Sequence, residues 1–161
     1  MSTVRPSKCW LPAATIVKVC VFLFIVGGEI DMLSADQMLW DYQCSKGNQD
    51  FPRVAVVSPS IGETGAAKQI QAQYAFFDKF EKIIVGMDND AAGRKAAEDI
   101  VAVLPKGKVC IATWSKKDPN EMLQAGMDKA FINDYFKANN MSAMGVGKIS
   151  RAKNLLRFHL S

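Results

Sequence analysis

Histidine is almost missing from this chain, with His159 the only one among 161 residues. The four cysteines, Cys9, Cys20, Cys44 and Cys110, form no Cys-x-x-Cys pair, so neither a zinc ribbon nor a zinc finger is encoded. Scattered singly through apolar segments, they read as reduced core residues of a cytosolic protein. Long apolar runs are missing too: the stretch 19–26 falls well short of the roughly 18 residues that a membrane-spanning helix needs. That stretch follows Arg5 and Lys8 and precedes Gly27 and Gly28, which gives it the outline of a secretory signal. Lys18 interrupts the outline, and cleavage behind the glycines would remove what reads as the first strand of the domain, so the expected location is cytoplasmic, with no membrane partner. Acidic residues are absent from both ends, all sixteen lying between Glu29 and Asp134. Seven of the twenty basic residues lie outside the segment 19–147, which leaves that segment net acidic although the whole chain carries +4. Nucleic-acid affinity is therefore expected from the ends or from local patches, and not from the surface as a whole.

What is present fits one sizeable core. Residues 1–18 read as an irregular basic lead-in, 19–140 as one α/β domain and 141–161 as a basic tail. Strands are expected at 19–26, 54–57, 83–85 and 109–113, from short apolar runs rich in β-branched residues. Helices are expected between and after them. One runs from Ile30 to about Gln43, with Met32, Ala35, Leu39 and Tyr42 on one face; another runs from about Thr64 to Phe77, with Ala66, Ile70, Tyr74 and Phe77 stacked. A third begins at Ala91 with Ala92, Ala96, Ile100, Val103 and Leu104 as its stripe, and further helix follows Asp118, with Phe131, Tyr135 and Phe136 as the apolar residues of 130–137. Strands alternating with helices predict a parallel sheet whose strands all end at one edge. The turns after the four strands then gather in one crevice region.

Those turns hold the candidate chemistry. Asp88 and Asp90 follow the apolar run 83–85, where a strand stops and a helix starts; two residues apart in extended chain, they can converge on one hard cation. The competing explanation is that Asp90 caps the helix and Asp88 is an ordinary strand-end acid. Gly93 and the helix amino end leave room for phosphate. In Gly27-Gly28-Glu29-Ile30-Asp31 the glycines permit a tight turn, and Glu29 or Asp31 can serve as a cap. The segment 58–68, with Gly62, Gly65 and Lys68, offers a cradle for an anion. Asp118-Pro119-Asn120-Glu121 fits a capping box with proline in the first helical position. Near the carboxyl end, Gly147-Lys148 hints at a phosphate loop, but Ser142 stands where its first glycine belongs and Ile149 where it needs Ser or Thr, so no nucleotide hydrolysis is assigned there. Trp10, Trp40 and Trp114 are not interleaved with basic residues and read as packing residues.

Taken together, the four turns resemble those of a Toprim domain, most of all that of the primase half of phage-type bifunctional primase-helicases. The residues that carry the resemblance are the segment 28–33, Gly62 with Ala66-Ala67-Lys68, the segment 88–94, and Lys117-Asp118-Pro119-Asn120-Glu121. It implies a Toprim-like, Rossmann-like four-stranded parallel sheet with helices on both faces. It also implies an acidic edge that binds Mg2+ or Mn2+ and supports RNA primer synthesis on a DNA template. Asp88 and Asp90 would then be the metal ligands and principal catalytic groups, and Asp118 a supporting acid. Gly28, Lys68 and Gly93 would serve phosphate or nucleotide binding. The implied partners are template DNA, nucleoside triphosphates and the zinc-ribbon and helicase parts of a primase-helicase, and the implied place is the cytoplasm of a bacterium or of a phage's host. The family's first motif is Glu-Gly-x-x-Asp, and here Gly27 stands in place of the glutamate, the expected acid/base or metal-supporting group; Glu29 is the candidate substitute. Two other functions stay open: a Toprim nuclease or topoisomerase-like strand cleaver, and a noncatalytic module that binds nucleic acid or a protein partner.

Overall fold

The first strand, β1 (Phe22–Val26), has no polar side chain, and it is flanked by a strand on each side. In the computed structural model, which describes residues 22–50 and 53–141, it pairs in parallel with β2 (Ala55–Val57) and with β3 (Lys82–Gly86). The fourth strand, β4 (Val109–Ile111), pairs in parallel with β3, which gives the sheet order β2-β1-β3-β4. Alternation along β1 sends Leu23 and Ile25 to one face and Phe24 and Val26 to the other, all fully buried, so each face needs its own cover of helices.

One face is covered by α1 (Glu29–Ser45), α5 (Pro119–Gln124) and α6 (Asp128–Met141), which contribute Met32, Ala35, Met38, Leu39, Met122, Phe131 and Tyr135 to the core. The other is covered by α2 (Glu63–Ala72), α3 (Tyr74–Phe77) and α4 (Ala91–Val103), through Ala66, Ile70, Phe77, Ala96, Ala97 and Ile100. The expected fold class is what the structure shows, a parallel α/β sheet with helices on both faces. The chain leaves β1 toward β2 on one side and returns to β3 on the other, so the strand order reverses between β1 and β3. At such a switch point the turns on the two sides diverge and open a crevice at the carboxyl ends of the strands.

Two expected elements differ in detail. The helix expected over 64–77 breaks at Gln73 (φ −116°, ψ 24°), whose carbonyl accepts from both Phe76 and Phe77 N–H. The break turns Phe76, Phe77 and Phe80 into an edge-to-face cluster at the end of the core and leaves Tyr74, which was expected in the stripe, 45% exposed. In α4 the buried stripe runs through Gly93, Ala96, Ala97 and Ile100 and leaves Ala92 exposed. It is shifted because Gly93, not Ala92, lies against the preceding turn. Strand residues 19–21, the basic lead-in and tail, Cys9, Cys20 and Trp10 lie outside the described residues. Cys110 is buried and Cys44 half-buried, and both are free thiols.

Candidate functional site

Three turns converge on the rim of the sheet between β1, β3 and β4, and small residues set how closely they approach. After β1, Gly28 opens α1 with an extended backbone, and a Cβ there would stand 3.1 Å from Asp31 Oδ2. After β3, the turn through Asp88, Asn89 and Asp90 runs into α4, where a Cβ on Gly93 would overlap the Asp88 carbonyl. Only glycine lets the helix start so near the strand's end. Asp90 Oδ1 accepts from Gly93 N–H at 2.8 Å, which closes the helix cap. After β4, Trp114 is buried; its Nε1–H donates to Met87 O at 3.1 Å, and its ring fills the space that a side chain at Gly86 would need. It stacks on Phe131 and meets Phe24 edge-on, so the turn that follows it is anchored in the core.

The second and third of these turns are tied to each other. Asn89 N–H donates to Lys117 O at 2.6 Å, and Asn89 Nδ2 donates to Trp114 O at 3.0 Å. Asp118 caps α5 by accepting from Glu121 N–H at 2.7 Å, Pro119 takes the first helical position, and Glu121 Oε2 accepts from Lys117 N–H at 2.9 Å. The capping box expected from the sequence is therefore formed, with the glutamate reaching one residue further back than the cap. The first turn joins through Asn120, whose N–H donates to Asp31 Oδ1 at 3.2 Å while its side-chain oxygen accepts from buried Ser34 at 3.2 Å.

This scaffold brings Asp118 and Asp88 within electrostatic reach of Asp31. Burial pushes the Asp31 carboxyl up to about 6; the Asn120 amide pulls it down, while Asp118 and then Asp88 push it up again by charge, and Asp118 also by hydrogen bonding. Lys117 Nζ lies 3.1 Å from Asp88 Oδ2, and that contact, with Asp118 and Asp90 nearby, holds the lysine above its ordinary range. Among the described residues no three Asp, Glu, Cys or His side chains converge closely enough to enclose a metal ion. Asp31 couples by charge to Asp118 and to Asp88 without the three surrounding a single point. The donors still suit a hard divalent cation in kind, since all are carboxylate oxygens in mutual repulsion and an ammonium stands on one of them.

Of the residues singled out from the sequence, Asp88 and Asp118 are brought together, and Asp90 adjoins them with one oxygen committed to its cap. Glu29 stands exposed in the first turn of α1. The Gly93 amide is taken by Asp90. Lys68 is exposed on α2, and the turn before it folds back on its own helix through Ser60 and Gln69. Gly62, at φ 74°, adopts a backbone that other residues rarely do. Sequence reasoning named Asp31 only as a possible cap and gave Lys117 no role. Yet Asp31 is the aspartate of the Glu-Gly-x-x-Asp pattern, three residues past Gly28, and that spacing could have found it.

A protein-family model described as Toprim-like matches residues 24–123. The DNA helicase/primase of Enterobacteria phage T3 is 39% identical over 124 residues, which cover 77% of this chain and 20% of that protein. The chain thus spans about a fifth of that relative's length. Among solved structures, the primase fragment of the bacteriophage T7 primase-helicase matches with a TM-score of 0.62 at 36% identity, over 73% of this chain and 44% of that one. A T7 lagging-strand DNA polymerase assembly, whose primase domains are bound to an RNA/DNA hybrid and dTTP, matches with a TM-score of 0.64 at 36% identity, over 74% of this chain and 56% of the matched one.

Proposed function

The chain belongs to the Toprim-like family, and from that premise, together with its likeness to phage helicase/primases, we propose that its acidic rim serves nucleotidyl transfer in RNA primer synthesis on a DNA template. The observation that supports this most is the meeting of Asp31, Asp88 and Asp118, from three separate turns, at the switch point of the sheet. Asp88 would hold Mg2+ or Mn2+, with Asp90 and Asp118 each contributing the oxygen that its cap leaves over and Asp31 adding charge nearby. When bound, the ion would lower the pKa of an attacking 3′-hydroxyl and neutralise charge developing at the α-phosphate. The chain's own residues fix where that charge is accepted: Asn89 locks the turn bearing Asp88 to the one bearing Asp118, and Asn120 orients Asp31. Lys68 and the α2 amino end would steady a phosphate further along the rim. Template DNA, nucleoside triphosphates and the remaining parts of a primase-helicase are the proposed partners, and the cytoplasm of a bacterial cell is the proposed place.

Gly27 favours one refinement. With glycine in place of the motif glutamate, the rim keeps its cation-holding acids and loses one carboxylate at the mouth of the first turn, so this chain is proposed to bind metal and nucleotide with little turnover. Template-dependent incorporation of labelled ribonucleotide, with the missing primase parts supplied in trans, tests the assignment. Incorporation that rises in Gly27→Glu supports it. Metal-dependent nicking of supercoiled DNA without incorporation would assign the rim to strand cleavage instead.

A further inference from the structure

We propose that Lys117 is the rim's exchangeable counter-ion: its ammonium holds Asp88 in the metal-free protein, yields that place to a divalent cation, and then meets the phosphates of the incoming nucleoside triphosphate. The inference rests on the nucleotidyl-transfer reading of the rim and adds to it a residue with two alternating partners. The Lys117 Nζ to Asp88 Oδ2 contact, at 3.1 Å, joins unequal groups: the Asp88 side chain is 19% exposed and that of Lys117 55%. The carboxylate is largely shielded from solvent while the ammonium ends a flexible four-carbon stem in it.

The lysine backbone, by contrast, is pinned from both sides, its N–H donating to Glu121 Oε2 and its carbonyl accepting from Asn89 N–H. Displacement therefore moves the ammonium and leaves the turn in place. An ion pair with so exposed a lysine is worth little, so exchange is cheap, and a doubly charged ion at Asp88 gains more from the same carboxylate, with the charges of neighbouring acids adding to the attraction. Once displaced, the ammonium stays tethered within a stem's length of the rim, where a metal-bound triphosphate supplies the nearest unneutralised negative charge. A lysine presents a compact charge with three donors, which suits a phosphate oxygen as well as a carboxylate.

Mn2+ titrations of the full chain, followed by the electron paramagnetic resonance of free Mn2+, test the first half; binding of an α,β-methylene nucleoside triphosphate at saturating Mn2+ tests the second. Lys117→Ala is expected to bind Mn2+ roughly fivefold tighter and the nucleotide at least roughly fivefold weaker, from the modest size of an exposed ion pair. Lys117→Arg, which keeps the charge, is expected to stay near the wild type for Mn2+. Opposite movements from one substitution are not produced by general loosening of the turn. Equal Mn2+ affinity in the wild type and Lys117→Ala, or an unchanged nucleotide affinity, overturns the inference; in that case Mn2+ binding that Asp88→Asn abolishes leaves the metal-site reading standing. If none of the proteins binds Mn2+, both fall.

Discussion

At the scale of single residues, the rim is governed by charges of one sign held together by backbone, and Asp31 reports that most directly. Burial and its two acidic neighbours raise it to about 6, so between about pH 4, where an ordinary carboxylate titrates, and about pH 6 the folded protein holds a proton that the unfolded chain has lost. Stability therefore falls as pH rises through that window and levels off above it. With the group half exposed, solvent screening leaves the loss on the order of 1 kcal/mol. Carbon-detected NMR of the Asp31 carboxyl is expected to show a midpoint near 6 that falls in Asp118→Asn, and a midpoint unmoved by that substitution would remove the acid cluster. Gly93 is the complementary case, in which a missing side chain does the positioning. A methyl group at that position would run into the Asp88 carbonyl, a backbone atom with no rotamer to give. Gly93→Ala is thus expected to cost about 2 kcal/mol in urea unfolding, within the range for overpacked sites. The same change is expected to weaken Mn2+ binding, because the turn can relieve the clash only by moving Asp88.

At the scale of elements, the two caps separate structure from chemistry. Asp90 and Asp118 each accept from the amide three residues on, and each is also a carboxylate on the rim. Asparagine caps nearly as well as aspartate, so Asp90→Asn and Asp118→Asn are each expected to change stability by no more than about 0.5 kcal/mol, whereas the alanine variants lose about 1 kcal/mol. In Mn2+ titrations Asp90→Asn is expected to weaken binding less than Asp88→Asn does, since one Asp90 oxygen is already committed to Gly93; equal losses would make Asp90 a full partner of Asp88. These caps were legible in the sequence because capping obeys local rules: Asp118-Pro119-Asn120-Glu121 announces its own geometry. The strands were legible for a similar reason, as short β-branched runs broken by glycine or a charge. The break at Gln73 was not, since the spacing of Ala66, Ile70 and Tyr74 continues straight across it and only the packing of Phe76, Phe77 and Phe80 against the sheet's end ends the helix. Asp31 and Lys117 were overlooked for a third reason. What they do depends on contacts between turns, Asn120 with Asp31 across 89 residues of sequence and Lys117 with Asp88, which no helical or strand period encodes, although the motif spacing marks Asp31.

At the scale of the molecule, one sheet edge collects acids from turns that lie far apart in sequence, while the segment 19–147 is net acidic and the basic excess sits at the two ends. An acidic rim attracts a cation and repels a template strand, so template binding is expected to come from basic groups outside the rim, supplied by the ends or by other parts of a primase. A chimera in which residues 22–141 replace the matching segment of the T3 helicase/primase separates these contributions. Every other part of the machine is then present, and only the rim is exchanged. With Gly27 retained, ribonucleotide incorporation on single-stranded template is expected to be weak. With Gly27→Glu it is expected to rise by at least roughly tenfold, within the range that a positioned acid–base group contributes. The added carboxylate would complete the first motif beside Asp31 and Asp88, and salt-dependent template binding is expected not to change between the two chimeras, since an acidic rim repels the template. Equal incorporation in both would show that Gly27 is no defect and that Glu29 or a group outside the motif already supplies the missing function.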